Sequence, residues 1–141
     1  MSIDLDKLEM QLTDEEGRRL KFYFDTRGIP SIGIGRNLRD VGLTGNEVTY
    51  LFRNDIDRVG QELNDNLPWV LDLDDVRQRV FYDLCFNMGI SKLLTFVRML
   101  SYAQTGDFGN AAIELHHSIW DSQVGDRARR LESMLKTGED P

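Results

Sequence analysis

The sequence has very few residues that form covalent or rigid constraints. Only one of its 141 residues is a cysteine, Cys85, so no intramolecular disulfide can form and the fold does not depend on an oxidising compartment. We expect Cys85 to serve as a small buried apolar residue. Only three prolines occur. We find no internal repeats, low-complexity tracts or linkers.

A targeting segment is also missing. The N-terminal stretch lacks the basic start and the apolar run of a signal peptide, because charged residues interrupt it every few positions. The longest uncharged stretch is far too short to cross a bilayer. We therefore expect synthesis in the cytoplasm without a membrane anchor, and help from another component in reaching any target outside it.

Positive charge is in deficit. Seventeen Lys and Arg stand against 24 Asp and Glu, which gives a net charge of −7. Proteins that coat DNA or bind membranes through polybasic segments need clustered positive charge, so we expect no nucleic-acid partner. The hydrophobic fraction of 40% and charged fraction of 29% are ordinary for a soluble folded domain. A chain of this length can bury a core without a metal or disulfide.

Several kinds of catalytic chemistry lack their residues. His116 and His117 are the only histidines, and because they are adjacent they cannot share one helix face. With a single cysteine as well, we expect no metal site. Neither a Walker-type phosphate loop nor a serine elbow is present.

The spacing of apolar residues and the positions of helix-capping and turn residues predict an α+β fold that is mostly helical. A first amphipathic helix is predicted over 4–15 and must stop at Gly17. The β-forming residues that follow, from Leu20 to Ile34, predict an antiparallel hairpin. Its turn begins at Asp25, and Gly28 supplies the dihedral that other residues adopt poorly.

After Arg36 the pattern predicts helices alone. The Thr44-Gly45-Asn46-Glu47 segment is typical of a capping box at the start of a long helix. The predicted helices cover 44–65, 73–87 with a stop at Gly89, the segment marked by Leu93, Phe96, Val97 and Leu100, the segment from Ala111 to Ile119, and a last one marked by Leu131, Met134 and Leu135.

We therefore expect one α+β domain over 1–141, with two lobes joined by a helix. A small lobe over 1–43 contains the first helix and the hairpin, and a larger helical lobe covers 67–141. The long helix over 44–66 would connect them. A cleft between lobes is a common place for substrates to bind.

Carboxylates supply the remaining candidate chemistry. Glu16 ends the first helix, Asp25 lies nine positions later beside the turn, and Ser31 lies on the returning strand. A helix end followed by a hairpin can bring all three side chains to the same side of a cleft. Hydrolysis of a glycosidic bond needs two carboxyl groups. In a chain with 24 acidic residues, composition alone explains such a pair more simply as solvated turn and cap residues.

The stretch from Asp14 to Arg36 resembles the active-site hairpin of the phage lysozyme family, the endolysins of T-even type in glycoside hydrolase family 24. The elements Glu-Gly, Leu, Tyr, Asp, Gly and Ile-Gly-Ile-Gly follow the order of that family. The similarity covers most of the chain, because it continues in order through Leu43-Thr44 to Phe52, Val76-Arg77, Phe86-Asn87-Met88-Gly89, Arg98-Met99-Leu100, Ala111-Ala112, Ser118-Ile119-Trp120, Gln123 and Arg127-Ala128-Arg129-Arg130.

The resemblance implies a lysozyme-like α+β fold, no metal or organic cofactor, and a muramidase for phage-type host lysis. Such an enzyme hydrolyses the β-1,4 bond between N-acetylmuramic acid and N-acetylglucosamine in peptidoglycan, with inversion at the anomeric carbon. The resemblance makes Glu16 rather than Glu15 the general acid, and Asp25 the residue that positions or deprotonates the attacking water. Ser31 stands where the family has threonine, so the hydroxyl is kept and the methyl group is lost.

The resemblance also implies contacts with the glycan from Phe86, Asn87, Asn37 and Arg127. Arg127 matches an arginine that pairs with the catalytic glutamate. A nearby arginine lowers a carboxyl pKa, whereas a general acid needs a pKa raised by burial, so the two effects are in tension. The alternative for Arg127 is a solvated basic stripe shared with Arg130.

Two further functions stay open. The chain could be a peptidoglycan-binding module with weak or lost catalysis, which the serine at position 31 and the net charge favour. It could also be the lysozyme module of a phage tail or injection machine. A free endolysin would instead be a monomer, released through a membrane pore such as a holin, that acts on the periplasmic cell wall.

Overall fold

The computed structural model describes residues 2–119 and 125–141. Trp120 and Gln123, which form part of the family resemblance, lie outside the described residues. The model confirms the predicted α+β fold. Its helices are α1 (Leu5–Glu16), α2 (Gly45–Asn66), α3 (Asp75–Met88), α4 (Ile90–Leu93), α5 (Val97–Gln104), α6 (Phe108–Ile119) and α7 (Asp126–Thr137), with a 3-10 turn over Pro68–Asp72. Its strands are β1 (Arg19–Phe24), β2 (Pro30–Gly33) and β3 (Arg36–Asn37).

The chain forms two compact units, one ending at Tyr50 and the other running from Leu51 to Pro141. The helix predicted over 44–65 corresponds to α2, and the division between the units falls within it. None of the described helices is both long enough and apolar enough to cross a bilayer.

Helix α1 begins and ends at the residues expected from local rules. The Asp4 side chain accepts a hydrogen bond from the Lys7 amide at 3.1 Å, which caps the first turn. Gly17 follows the helix with a φ of 79°, and its amide closes the last turn on the Thr13 carbonyl at 2.8 Å. These two caps leave Glu16 as the last helical residue.

The strands form one antiparallel sheet in the order β1-β2-β3. Tyr23 pairs with Ser31, and Ser31 pairs in turn with Asn37. Because directly paired residues project from the same face of a sheet, these three side chains lie side by side. Gly28 has a φ of 77° in the turn between β1 and β2, as the hairpin prediction requires.

The prediction of helices alone after Arg36 is wrong, because Arg36–Asn37 form strand β3. Glycines at positions 35 and 42, with φ values of 69° and 65°, turn the chain on either side of this strand. A strand of two residues is too short to produce an alternating pattern, so the sequence gives no signal for it.

The predicted capping box at the start of α2 is confirmed. The Glu47 amide donates to the Thr44 hydroxyl at 3.1 Å, and the Thr44 amide donates to the Glu47 carboxylate at 2.8 Å. The same carboxylate accepts a hydrogen bond from Arg36 at 2.8 Å. The hydrogen bond from the Arg36 guanidinium lowers the pKa of Glu47 most strongly, and the bond from the Thr44 amide lowers it further, to about 2. This network attaches β3 to the first turn of α2.

The apolar core described in the second unit is helical. Cys85 is 2% exposed, as the sequence predicts, and its burial raises the pKa of the thiol to about 11. Trp69 packs edge-on against Phe81 with the ring centroids 5.4 Å apart. The largest of the fully buried side chains are Phe81, Leu63, Leu93, Met99, Leu115, Leu135, Val59, Val70 and Val80.

The single helix predicted around Leu93 to Leu100 is two helices. Helix α4 ends at Leu93 and α5 begins at Val97. Between them, the Thr95 hydroxyl donates to the Lys92 carbonyl at 2.6 Å, and Phe96 has non-helical dihedrals of −82° and 55°. Leu93, Phe96 and Leu100 are all buried despite the break, so their spacing resembles that of one continuous helix.

Candidate functional site

Glu16 is the last residue of α1, and its exposed side chain lies against a glycine of the β2–β3 turn. A β-carbon built on Gly35 would lie 3.0 Å from Oε2, 3.1 Å from Cδ and 3.2 Å from Cγ of Glu16. Real β-carbons very seldom approach other atoms so closely. The carboxyl group and its stem therefore occupy space that any other residue at position 35 would fill.

Asp25 lies in the β1–β2 turn, and its carboxylate is part of that turn. Its Oδ1 accepts the amide hydrogens of Arg27 at 2.8 Å and of Ile29 at 2.9 Å. The Ile29 amide lowers the pKa of Asp25 most strongly, the Arg27 amide and charge lower it further, and burial opposes them. The net pKa lies below the usual range, so Asp25 is ionised at neutral pH.

Ser31 is 4% exposed and lies on the central strand, β2. Its hydroxyl donates to the Ile29 carbonyl at 3.2 Å. Because its proton is used in this bond, the remaining lone pairs of Oγ are available to accept a hydrogen bond. Ile29 thereby connects the two groups, since its amide binds Asp25 and its carbonyl binds Ser31.

The first unit therefore contains all three residues that the sequence identifies as candidate catalytic groups. Glu16 contributes an exposed carboxyl group that is held against Gly35. Asp25 contributes a carboxylate that stays ionised, and Ser31 contributes a hydroxyl oxygen that can accept. One carboxyl group to donate a proton and one fixed acceptor for water are what hydrolysis of a glycoside requires.

Asn37, a predicted glycan contact, uses its side chain within the chain itself. Its Nδ2 donates to Oδ2 of Asp40 at 3.0 Å, and its Oδ1 accepts the Asp40 amide at 2.8 Å. These bonds shape the turn that precedes α2. A contact between Asn37 and substrate stays a prediction.

Arg127 and Asn87 come together in the second unit. The Arg127 guanidinium forms two hydrogen bonds with Oδ1 of Asp83, the one from Nε at 3.1 Å. Its Nη1 lies 3.5 Å from Oδ1 of Asn87, at the long limit of a hydrogen bond. The pairing of Arg127 with Glu16 that the family resemblance implies stays a prediction.

Sequence reasoning did not identify Asp83 as a partner of Arg127. The available signal was its spacing from Asn87, because residues four apart on a helix share one face. Both side chains therefore project from α3 toward the same arginine, which lies 44 positions from Asp83 in the chain.

A cavity of about 390 Å³ opens beside Arg127 and Asn87. Its polar lining includes Lys92 and Ser118, and its apolar lining includes the buried Phe96. This combination of apolar walls and a few polar groups is common in binding sites. The cavity lies wholly among described residues of the second unit.

Phe86 is 48% exposed, and its ring centroid lies 6.4 Å from that of Phe52. An exposed aromatic ring that a second ring supports offers a flat apolar surface to a ligand. Stacking of a sugar on Phe86 stays a prediction.

The two histidines are exposed. Nδ1 of His116 lies 2.9 Å from the Glu132 carboxylate. Across residues 2–119 and 125–141, no three His, Cys, Asp or Glu side chains are grouped as metal ligands would be.

Comparison with known proteins finds similarity along almost the whole chain. The model of the phage lysozyme family matches residues 13–136, which include Glu16, Asp25, Ser31 and Arg127. A probable T4-type lysozyme of Dictyostelium discoideum is 28% identical, over 88% of this chain and 90% of that protein.

Two phage proteins are also similar. The endolysin of Salmonella phage P22 is 37% identical over 57% of this chain and 60% of its own length. The pre-baseplate central spike protein of Enterobacteria phage T4 is 29% identical over 90% of this chain, a match that covers 27% of the spike protein.

Proposed function

The chain belongs to the phage lysozyme family, and from that premise we propose that Glu16, Asp25 and Ser31 carry out its reaction. As a member of this family, the chain is a glycoside hydrolase. It is a muramidase, which cleaves the β-1,4 bond between N-acetylmuramic acid and N-acetylglucosamine in peptidoglycan. One observation above all supports these residue roles: Ile29 binds the Asp25 carboxylate through its amide and the Ser31 hydroxyl through its carbonyl.

Glu16 acts as the general acid. Its protonated carboxyl group donates a proton to the glycosidic oxygen as the bond from that oxygen to the anomeric carbon breaks. The leaving sugar departs with a new hydroxyl group, and Glu16 is left as a carboxylate that is reprotonated from solvent. Its position at the end of α1 leaves the carboxyl group exposed to a glycan.

Asp25 and Ser31 hold the attacking water. Both present acceptors, so one water molecule donates one hydrogen to each and directs a lone pair at the anomeric carbon. As the new bond forms, the water proton passes to Asp25. Because the lowered pKa makes Asp25 a weak base, its larger contribution is to orient the water.

The stereochemistry follows from the place of the water. Attack on the face opposite the leaving group inverts the configuration at the anomeric carbon. This requires roughly 6.5–9.5 Å between the two carboxyl groups, which leaves room for one water.

Phe86, Asn87 and Arg127 bind the glycan in this proposal. The exposed ring of Phe86 stacks on a sugar face, and the amide of Asn87 donates a hydrogen bond to a sugar. Asp83 compensates part of the Arg127 charge and fixes the direction of its guanidinium. Asn37 binds glycan only where its bonds to Asp40 leave an amide proton or lone pair free.

The test is loss of turbidity of Gram-negative cells from which the outer membrane has been stripped. Glu16→Gln removes the proton donor and keeps the shape, so clearing should fall by about 100-fold or more. Glu15→Gln is the matched control, because it removes the neighbouring acid of α1 and should retain clearing. Clearing by Glu16→Gln at the wild-type rate would refute the assignment.

The same assay separates the alternative functions. If neither wild type nor Glu16→Gln clears the cells but both sediment with purified murein, the chain is a binding module. For delivery, we propose synthesis in the host cytoplasm and action on the periplasmic wall, as a monomer released through a pore. The match to part of a spike protein keeps the tail module as the second candidate, which isolation of this chain within an assembled particle would establish.

A further inference from the structure

We propose that Gly35 is a positioning residue: it determines where the carboxyl group of Glu16 lies. This inference rests on the proposed role of Glu16 as general acid. Three consecutive atoms of the Glu16 side chain, Cγ, Cδ and Oε2, lie within 3.0–3.2 Å of the place where a β-carbon at Gly35 would be. The side chain of the proposed acid therefore packs directly on the backbone of the β2–β3 turn.

The backbone is held on both sides of this contact. On one side, the Gly17 amide closes the last turn of α1 on the Thr13 carbonyl at 2.8 Å, which fixes the backbone of Glu16. On the other side, Arg36 donates to the Gly42 carbonyl at 3.0 Å and to the Glu47 carboxylate at 2.8 Å. Both ends of the contact thus belong to hydrogen-bonded structure.

The side chain of Glu16 is the part that can move. Because it is exposed, a methyl group at position 35 would displace the carboxyl group into solvent and leave the backbone in place. A displacement of about 1 Å is enough to lower catalysis by about 100-fold when a reacting group must meet one atom of the substrate. The chemical group would be intact, and only its position would be wrong.

Gly33 provides a matched control at the end of β2, two residues before Gly35. Its φ is 67° and that of Gly35 is 69°, so alanine suffers the same backbone strain at either position. A β-carbon at Gly33 meets nothing within 4 Å, whereas at Gly35 it meets Glu16. The difference between the two variants therefore isolates the contact with Glu16.

The experiment compares Gly35→Ala, Gly33→Ala, Glu16→Gln and wild type on purified peptidoglycan, with release of reducing ends as the measure. We expect the two alanine variants to lose similar Tm. We expect kcat to fall by about 10- to 100-fold in Gly35→Ala with KM unchanged, and by less than about threefold in Gly33→Ala. The limb of the pH profile that reports the acid should move in Gly35→Ala alone, because only there does the carboxyl environment change.

Equal kcat in the two alanine variants, with Glu16→Gln inactive, would overturn the role of Gly35 and leave the catalytic assignment in place. Full activity in Glu16→Gln would overturn the assignment itself, and the role of Gly35 with it. If the alanine variants do not fold, Gly35→Asn and Gly33→Asn make the same comparison, because asparagine tolerates positive φ better.

Discussion

Asp25 and Ile29 bind each other through two hydrogen bonds. The Ile29 amide donates to Oδ1 of Asp25 at 2.9 Å, and the Asp25 amide donates to the Ile29 carbonyl at 2.9 Å. The carboxylate therefore closes the β1–β2 turn as well as contributing charge. One oxygen, Oδ1, makes the hydrogen bonds to the turn, which leaves Oδ2 for a water molecule.

Two substitutions separate these contributions of Asp25. Asparagine keeps Oδ1 as an acceptor and loses the charge, whereas alanine loses both. We expect activity on peptidoglycan to fall by about 100-fold or more in both variants. Thermal denaturation should show a larger loss of Tm in Asp25→Ala, because the Ile29 and Arg27 amides then lack their acceptor. Equal Tm values for the two variants would contradict the role of Oδ1 in the turn.

The lowered pKa of Asp25 also predicts how its contribution varies with pH. Its ionised form is favoured by folding, so the charge stabilises the folded state above about pH 3.9, the ordinary value for Asp. This contribution is lost as the pH falls through the lower pKa of the folded state. The Tm of wild type should therefore exceed that of Asp25→Asn at pH 7, and the difference should shrink as the pH falls below about 3.9. A difference that grows toward acid would show that the pKa is raised.

Ser31 offers a test of how water is held. Ser31→Ala removes the acceptor, and we expect kcat to fall by about 10-fold or more. Ser31→Thr introduces the threonine that the phage lysozyme family has at this position, and the β-branch of threonine restricts rotation of the hydroxyl. We expect this variant to match or exceed wild-type kcat, measured as release of reducing ends. Full activity in Ser31→Ala would remove the hydroxyl from the mechanism.

Much of the fold could be predicted because short-range chemistry determines it. The hairpin follows from a turn that needs Asp25 and the positive φ of Gly28, and the start of α2 follows from Thr44 and Glu47, three positions apart. Strand β3 and the break after α4 could not be predicted. A strand of two residues has no period, and the residues around the break keep their buried spacing without a continuous helix.

The candidate site likewise has features that the sequence predicts and features that it does not. The motif identified Glu16, Asp25 and Ser31, but the contact between Glu16 and Gly35 joins positions 19 apart, and no local pattern encodes it. The bonds from Arg127 to Asp83 likewise depend on how α3 and α7 pack. Resemblance predicts a chemical role for each residue, whereas the neighbours that hold its side chain are determined by contacts between distant parts of the chain.

Arg77 links α3 to the end of α7, and its removal should destabilise the fold. It donates to the carbonyls of Leu135 at 2.8 Å and Lys136 at 2.9 Å, and its guanidinium lies 3.7 Å above the ring of Phe108. Arg77→Ala leaves these helix-end carbonyls without their partner, at a cost of about 2 kcal/mol in the free energy of unfolding.

Asp140→Asn is the control for Arg77→Ala. It removes an ion pair with Arg79 whose side chains are 45% and 64% exposed, and water and salt screen such exposed pairs so that they contribute little to stability. Urea denaturation measures both variants, and kcat per folded molecule should stay unchanged in each. An equal loss of stability in the two variants would contradict the link that we assign to Arg77.

The net charge of −7 should affect the rate at which the enzyme associates with the cell wall. The peptides of murein are acidic, so the enzyme and the wall repel each other at long range. Because about 0.1 M salt shortens the screening length to about 10 Å, we expect clearing of stripped cells to be faster there than at 0.01 M. Clearing that falls steadily with added salt would show that a local positive surface dominates binding to the wall.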